Sequence, residues 1–129
     1  MNVRAKYPER GTTECESIQS ILSLVGDKWS VLIVIKLVGA TTMRYNELKR
    51  EVHGISQRML TLTLRGLERN GLIQRTVLDT KPVSVEYKLT ELGISLKDPV
   101  VALGMWVVHN QKPIHKAREI FDKREAKKA

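Results

Sequence analysis

Residues 45–75, YNELKREVHGISQRMLTLTLRGLERNGLIQR, restrict what this chain can become more than any other stretch. Their periodicity predicts a helix of about four turns from Ser56 to the stop at Asn70-Gly71. At about 100° per residue, Leu60, Thr63, Leu64 and Leu67 share one side of that helix. Gln57, Arg58, Thr61, Arg65 and Glu68 share the other. The first set can close a small core. The second presents amide, hydroxyl and guanidinium groups, the kinds of group that read base edges in a major groove.

The flanking residues agree with this reading. Tyr45–Val52 forms a short helical pattern with Leu48 and Val52 at i, i+4. His53-Gly54-Ile55 then turns the chain, with Gly54 as the left-handed position and Ser56 as the next helix cap. Helix, glycine turn and second helix make a helix-turn-helix. Two β-prone runs follow, Ile73–Leu78 and Val83–Leu89, separated by Asp79-Thr80-Lys81-Pro82. They predict a hairpin placed as the wing of a winged helix. A plain helical pair with a hairpin would look similar, but the basic free face and Lys81 at the hairpin tip favour DNA.

Composition narrows the partners. A chain of 129 residues suits one domain with a terminal extension. The expected divisions are an N-terminal arm over 1–14, a winged helix-turn-helix with flanking helices over 15–110, and a basic C-terminal helix or tail over 111–129. The net charge of +8 suits a polyanion. Residues 44–88 carry nine Lys/Arg against five Asp/Glu, and residues 112–129 carry seven against three. The first excess lies on the motif; the second reads as a solvated, solubilising helix.

Met1–Thr13 has no apolar leader core, and the longest apolar run, Val31–Ile35, is far below the roughly 20 residues of a membrane span. A cytoplasmic protein is expected. One cysteine excludes an intrachain disulfide, and His53, His109 and His115 lack zinc-ligand spacing. Neither metal nor cofactor is expected. No Ser/His/Asp pattern, paired carboxylates or phosphate-cradling loop points to an enzyme.

The remaining chain reads as helices. Thr13 and Glu16 form a capping box ahead of Ile18, Ile21, Leu22 and Val25, which stop at Gly26. Asp27 caps Lys28–Val38, a helix apolar nearly all round that belongs in the middle of a structure. Gly39–Arg44 holds a short strand expected to join the wing in a three-stranded sheet. Thr90 caps a helix at Glu91-Leu92-Gly93, and Asp98-Pro99 marks a fresh helix start. Val100, Leu103 and Val107, with Val101, Met105 and Val108, make a broad apolar stripe ending near Asn110, with Trp106 beside it. After Pro113 a last charged helix has Ile114, Ala117, Ile120 and Phe121 on its apolar edge. The apolar terminal helices exceed what a small winged domain covers, so a homodimer is expected. The fold class is α+β, mostly α: a winged helix-turn-helix with N- and C-terminal dimerisation helices.

With those residues in view, the chain resembles the HxlR family of bacterial winged helix-turn-helix regulators. The matching segments are LVGDKWSVLIVIKL (Leu24–Leu37), MRYNEL (Met43–Leu48), GISQRML (Gly54–Leu60), LRGLERNGLIQR (Leu64–Arg75) and EYKLTELG (Glu86–Gly93). The resemblance implies a homodimer formed by the terminal helices that binds operator DNA to repress or activate nearby genes. It also implies a role for Cys15, because many members carry a cysteine just ahead of the first helix and some use it to sense oxidants or electrophiles. The family's common Cys-Pro pair is Cys15-Glu16 here, and its paired wing prolines are replaced by Asp79-Thr80-Lys81-Pro82.

The residues themselves suggest the chemistry. Arg58 and Arg65 can each donate two parallel hydrogen bonds to guanine O6 and N7, and Gln57 can pair with adenine N6 and N7. Thr61 can offer its methyl to thymine or its hydroxyl to phosphate. Ser56 stands where a helix N-terminus favours phosphate. Arg75 and Lys81 suit phosphate or minor-groove contact. Cys15, on the second helical residue after Thr13, is favoured as thiolate by the helix end and opposed by Glu14 and Glu16; the alternative is a small buried apolar residue. Two rival functions remain open: a small-molecule-responsive regulator with Cys15 purely structural and Trp29, Met105 and Trp106 lining a pocket, and a winged helix that docks protein or RNA.

Overall fold

The computed structural model describes residues 9–128. The chain forms two compact units, one up to Lys97 and one from Asp98 onward. The first holds helices α1 (Thr13–Val25), α2 (Lys28–Gly39), α3 (Tyr45–Glu51), α4 (Gln57–Arg69) and α5 (Glu91–Ile94), with strands β1 (Met43–Arg44), β2 (Ile73–Leu78) and β3 (Ser84–Leu89). The second is built on α6 (Lys97–Lys128).

The core of the first unit gathers around α2, which packs against α1, α3, α4 and β3. The Asp27 carboxylate starts this helix by accepting from the amides of Trp29 (3.1 Å) and Ser30 (3.3 Å). Ser30, Ile33, Val34 and Leu37 of α2 are buried, while Trp29, Val31, Leu32, Ile35 and Val38 on its other sides are half-buried. Against them lie Leu48 of α3, Val52 and Ile55 of the turn, and Leu60, Thr63, Leu64 and Leu67 of α4. Gly54 in the turn has φ +83°, the left-handed value expected of it.

The sheet has the order β1-β3-β2, all antiparallel. Met43 pairs with Tyr87, and Ile73 pairs with Leu89. The short strand expected within Gly39–Arg44 is β1, Met43–Arg44, and it joins the wing as expected. Met43, Ile73, Tyr87 and Leu89 turn their side chains into the core.

Three local expectations are corrected. The cap of α1 is Thr12, not Thr13: Thr12 is extended (φ −81°, ψ 154°) and its hydroxyl accepts from the Cys15 amide at 3.0 Å. The same hydroxyl donates to the Glu9 carbonyl at 2.9 Å, which holds it in place and lets the helix begin one residue early. Cys15 is thus the third helical residue, not the second. Second, α6 begins at Lys97, so Asp98 and Pro99 lie inside its first turn. Proline is tolerated there because first-turn amides have no partner within the helix. Third, Pro113 ends nothing: it sits inside one continuous helix of 32 residues. Its ring removes the bond to the His109 carbonyl, and the exposed surroundings of residues 107–113 leave water to satisfy that group. Of the expected irregular segment over 1–12, residues 1–8 lie outside the described part; 9–12 form a turn ahead of α1.

Along α6, Val101, Leu103, Met105, Trp106, Val107 and Val108 remain 38–56% exposed. Although the longest unbroken apolar run of the sequence is short, the helical stretch Glu91–Lys128 contains an 18-residue window of mean hydropathy 1.2 with at most two charged residues. By length and composition alone such a helix is able to cross a membrane.

Gly93 shows how tightly the wing is anchored. A Cβ on this buried residue would be driven into the carbonyl of Leu72, a backbone group unable to step aside, and would also meet Leu89 Cδ2 at 3.1 Å. Gly93→Ala is therefore expected to destabilise the fold by about 2–3 kcal/mol or more, read as a fall in melting temperature by circular dichroism. Gly39→Ala, where a Cβ meets nothing within 4 Å, is the control. Equal melting temperatures for the two variants would refute the close approach.

Candidate nucleic-acid interface

Both ends of α4 are fixed by hydrogen bonds that its sequence encodes. At the start, Ser56 Oγ accepts from the Met59 amide at 3.0 Å. At the end, the Leu72 amide donates to the Leu67 carbonyl (2.9 Å) and the Gly71 amide to the Glu68 carbonyl (3.0 Å). This is a Schellman stop, made possible by Gly71 at φ +75°. Between these ends Leu60, Thr63, Leu64 and Leu67 are buried, the same four that the sequence places inward. Gln57, Arg58, Thr61, Arg65 and Glu68 are exposed.

The amides of Gln57 and Arg58 lie in the first turn, where the helix provides no acceptor. Together with the exposed Ser56 they form a donor-rich helix end. Arg58 and Arg65 make no salt bridge among the described residues: the ion pairs found there join Lys36 to Glu51 (3.6 Å) or lie within α6, at Lys123–Glu119, Arg124–Glu125 and Lys128–Glu125. Arg65 and Glu68, three residues apart on the same face, form no ion pair. Both arginines keep their full set of donors.

One groove lies on this helix face and a second lies between α3 and the wing. One, of about 400 Å³, is lined by Thr61, Leu64, Arg65, Glu68, Arg75 and Tyr87, and so joins the outer side of α4 to the base of the wing. Arg75 reaches it because its register partner is Tyr87, on the strand that enters the core. The other groove, of about 710 Å³, runs between the start of α3 and the wing tip. Arg44, Arg50 and Lys81 contribute cations to it, with Glu47 as the lone carboxylate. That carboxylate is engaged locally, accepting from the Arg44 amide at 3.0 Å. The wing turn is held by Thr80, whose hydroxyl donates to the Pro82 carbonyl at 2.8 Å and lies 3.1 Å from Ser84 Oγ.

The structure thus brings Thr61, Arg65 and Arg75 to one groove and Lys81 to a second, while Ser56, Gln57 and Arg58 occupy the exposed start of α4. Four residues near them were missed by sequence reasoning: Arg44, Tyr45, Asn46 and Arg50, which line the α3 side of the larger groove. Tyr45 matters most, because its hydroxyl lies 3.0 Å from the Gln57 carbonyl and 3.0 Å from Thr61 Oγ1. The block MRYNEL carried the signal, but helical periodicity could not show that a residue twelve positions earlier touches α4.

Cys15 stands apart, half-buried in the first turn of α1 with a free thiol. Its immediate neighbours Glu14 and Glu16 are exposed. Trp29 is half-buried with Lys28 Nζ 4.0 Å from its ring centre, whereas Met105 and Trp106 are exposed on α6.

Comparison with known proteins gives one answer. The HxlR-like helix-turn-helix family matches residues 24–115. The HTH-type transcriptional regulator YtfH of Escherichia coli K12 is 34% identical over 106 residues, covering 82% of each chain. YodB of Bacillus subtilis, also an HTH-type transcriptional regulator, is 36% identical over 96 residues, 74% of this chain and 85% of that one. Among solved structures, the transcriptional regulator YtfH from Salmonella typhimurium superposes with a TM-score of 0.74 at 35% identity, covering 79% of this chain and 90% of that one. The redox regulator HypR in its oxidised form gives 0.68 at 36% identity, over 73% and 96% of the two chains. The fold, the inward and outward faces of α4 and these likenesses agree: the chain belongs to the HxlR family of winged helix-turn-helix transcriptional regulators.

Proposed function

We propose that the protein binds operator DNA as a homodimer, with α4 in the major groove and the wing against the flanking backbone, and represses transcription from nearby promoters. The observation that carries this reading is the exposed row Gln57, Arg58, Thr61 and Arg65, whose two arginines make no ion pair among the described residues, on a helix whose opposite side is buried. Arg58 and Arg65 have the fork geometry for guanine, and Gln57 the amide for adenine. Ser56, Arg75 and Lys81 hold the register through phosphates. Arg44 and Arg50 extend the phosphate-binding face along the larger groove.

The exposed apolar residues of α6 and Ile21 and Leu22 of α1 supply material for a subunit interface. A two-fold dimer would set its two recognition helices about 34 Å apart, one turn of duplex. The apolar window within residues 91–128 is accounted for in this way by a partner helix rather than by lipid. On this reading the protein works in the cytoplasm, and its DNA binding calls for no cofactor or catalytic step.

Electrophoretic mobility shifts on the DNA upstream of the coding region test the assignment. Arg58→Ala or Arg65→Ala is expected to cost roughly 1–3 kcal/mol on the selected sequence and relax preference at particular base pairs. Lys81→Ala is expected to weaken all sequences alike and to flatten the slope of log K against log salt by about 0.9. Arginine variants that bind selected and random DNA as the parent does would overturn base reading by α4.

A second reading concerns the signal. Cys15 carries a free, half-buried thiol in the first turn of α1, and the neighbours include oxidised HypR and diamide-treated YodB. With a single cysteine in the chain, oxidation by diamide joins Cys15 to its twin in a second chain or to a small thiol; two thiols lose two electrons and two protons, which reduce the diamide. Non-reducing electrophoresis is expected to show a diamide-dependent dimer band absent from Cys15→Ser, with DNA affinity altered in step. An unchanged monomer band and unchanged affinity would leave Cys15 structural and favour a small-molecule signal.

A further inference from the structure

The bonds around Tyr45 determine what Thr61 has left to offer a base. The Tyr45 hydroxyl carries one proton and lies 3.0 Å from the Gln57 carbonyl, which can only accept. The phenolic proton is therefore directed to that carbonyl. The contact between Tyr45 Oη and Thr61 Oγ1, also 3.0 Å, must then run the other way, with Thr61 as donor.

Thr63 provides the contrast within the same helix. Its hydroxyl donates to the Met59 carbonyl four residues back at 2.7 Å, the ordinary behaviour of a helical threonine. For Thr61 the carbonyl four residues back is that of Gln57, and Tyr45 donates to it. A side chain on the preceding helix thus draws the Thr61 hydroxyl away from its own backbone.

We infer that Tyr45 is a positioning residue for sequence recognition: it fixes the rotamer and the proton of Thr61, so that Thr61 faces DNA with its methyl group and its oxygen lone pairs and not as a donor. Thr61 then reads a thymine methyl or accepts from a cytosine N4 or adenine N6 amino group, and it does not donate to a phosphate. This deepens the proposed use of α4 and rests on it. Tyr45 itself acts through Thr61 and reads no base.

The test is selection of bound sequences from a randomised duplex pool by the full-length protein and by the Y45F, T61V and Y45F/T61V variants. Phenylalanine keeps the ring of this half-buried residue and removes only the hydroxyl. Y45F is expected to change base preference about threefold or more at one or two adjacent base pairs, with the salt slope and melting temperature unchanged. In the T61V background, adding Y45F is expected to change nothing further. An effect of Y45F that is uniform over all sequences, that is absent, or that survives in the T61V background overturns the inference. A parent protein that selects no sequence overturns the reading of α4 itself, and this inference with it.

Discussion

The rotation of α4 about its own axis is the constraint on which the rest depends. Leu60, Leu64 and Leu67 are each at most 1% exposed, and burying a leucine of this kind is worth roughly 1.5–3 kcal/mol. Turning the helix by one residue position, so that Thr61, Leu64, Arg65 and Glu68 faced inward, would bring Leu60 and Leu67 to water and Arg65 and Glu68 into the core. The unpaired charge of a buried guanidinium would add several kcal/mol to that loss. No surface contact of α4 is large enough to oppose this, so its polar row points outward whatever the loops around it do.

The wing inherits its place from the same helix. Thr90 Oγ1 donates to the Gly71 carbonyl at 2.5 Å and accepts from the Gly93 amide at 3.1 Å, while the Thr90 amide donates to the Leu72 carbonyl at 3.1 Å. One threonine therefore caps α5 and ties the end of β3 back to the residues that stop α4. The space needed for this knot is supplied by the missing side chain of Gly93. With the continuous pairing from Ile73–Leu89 out to Leu78–Ser84, the base of the wing is tied to the end of the recognition helix. The register then carries Arg75 to the groove beside Arg65.

Local physics made most of this readable from the sequence. The faces of α4, the Ser56 and Asp27 caps, the Gly54 turn and the hairpin all follow from residues within a few positions of one another. The errors lie where two local solutions were nearly equal or where distance in sequence was large. Thr12 and Thr13 are chemically the same, and only the bond from Thr12 to Glu9 separates them. Pro113 reads as a breaker because propensity describes an average helix, whereas an exposed one can leave a carbonyl to water. The Tyr45 contacts with Gln57 and Thr61 span twelve and sixteen positions, and no periodicity within either helix could encode them.

Net charge illustrates the same limit at the level of the site. Two stretches carry a similar basic excess, +4 from residues 44–88 (nine minus five) and +4 from residues 112–129 (seven minus three). In α6 Lys123, Arg124 and Lys128 sit beside carboxylates of their own helix. On the winged unit Arg58, Arg65, Arg75 and Lys81 are exposed and free of such partners among the described residues. Exposed pairs are worth little, so α6 could still surrender its partners to a polyanion. It would do so without shape, because its cations follow one helix, whereas those of the winged unit come from a helix and a hairpin locked together. Counterion release gives both sets affinity for a phosphate backbone; only the set held at two fixed places can also choose a register along it.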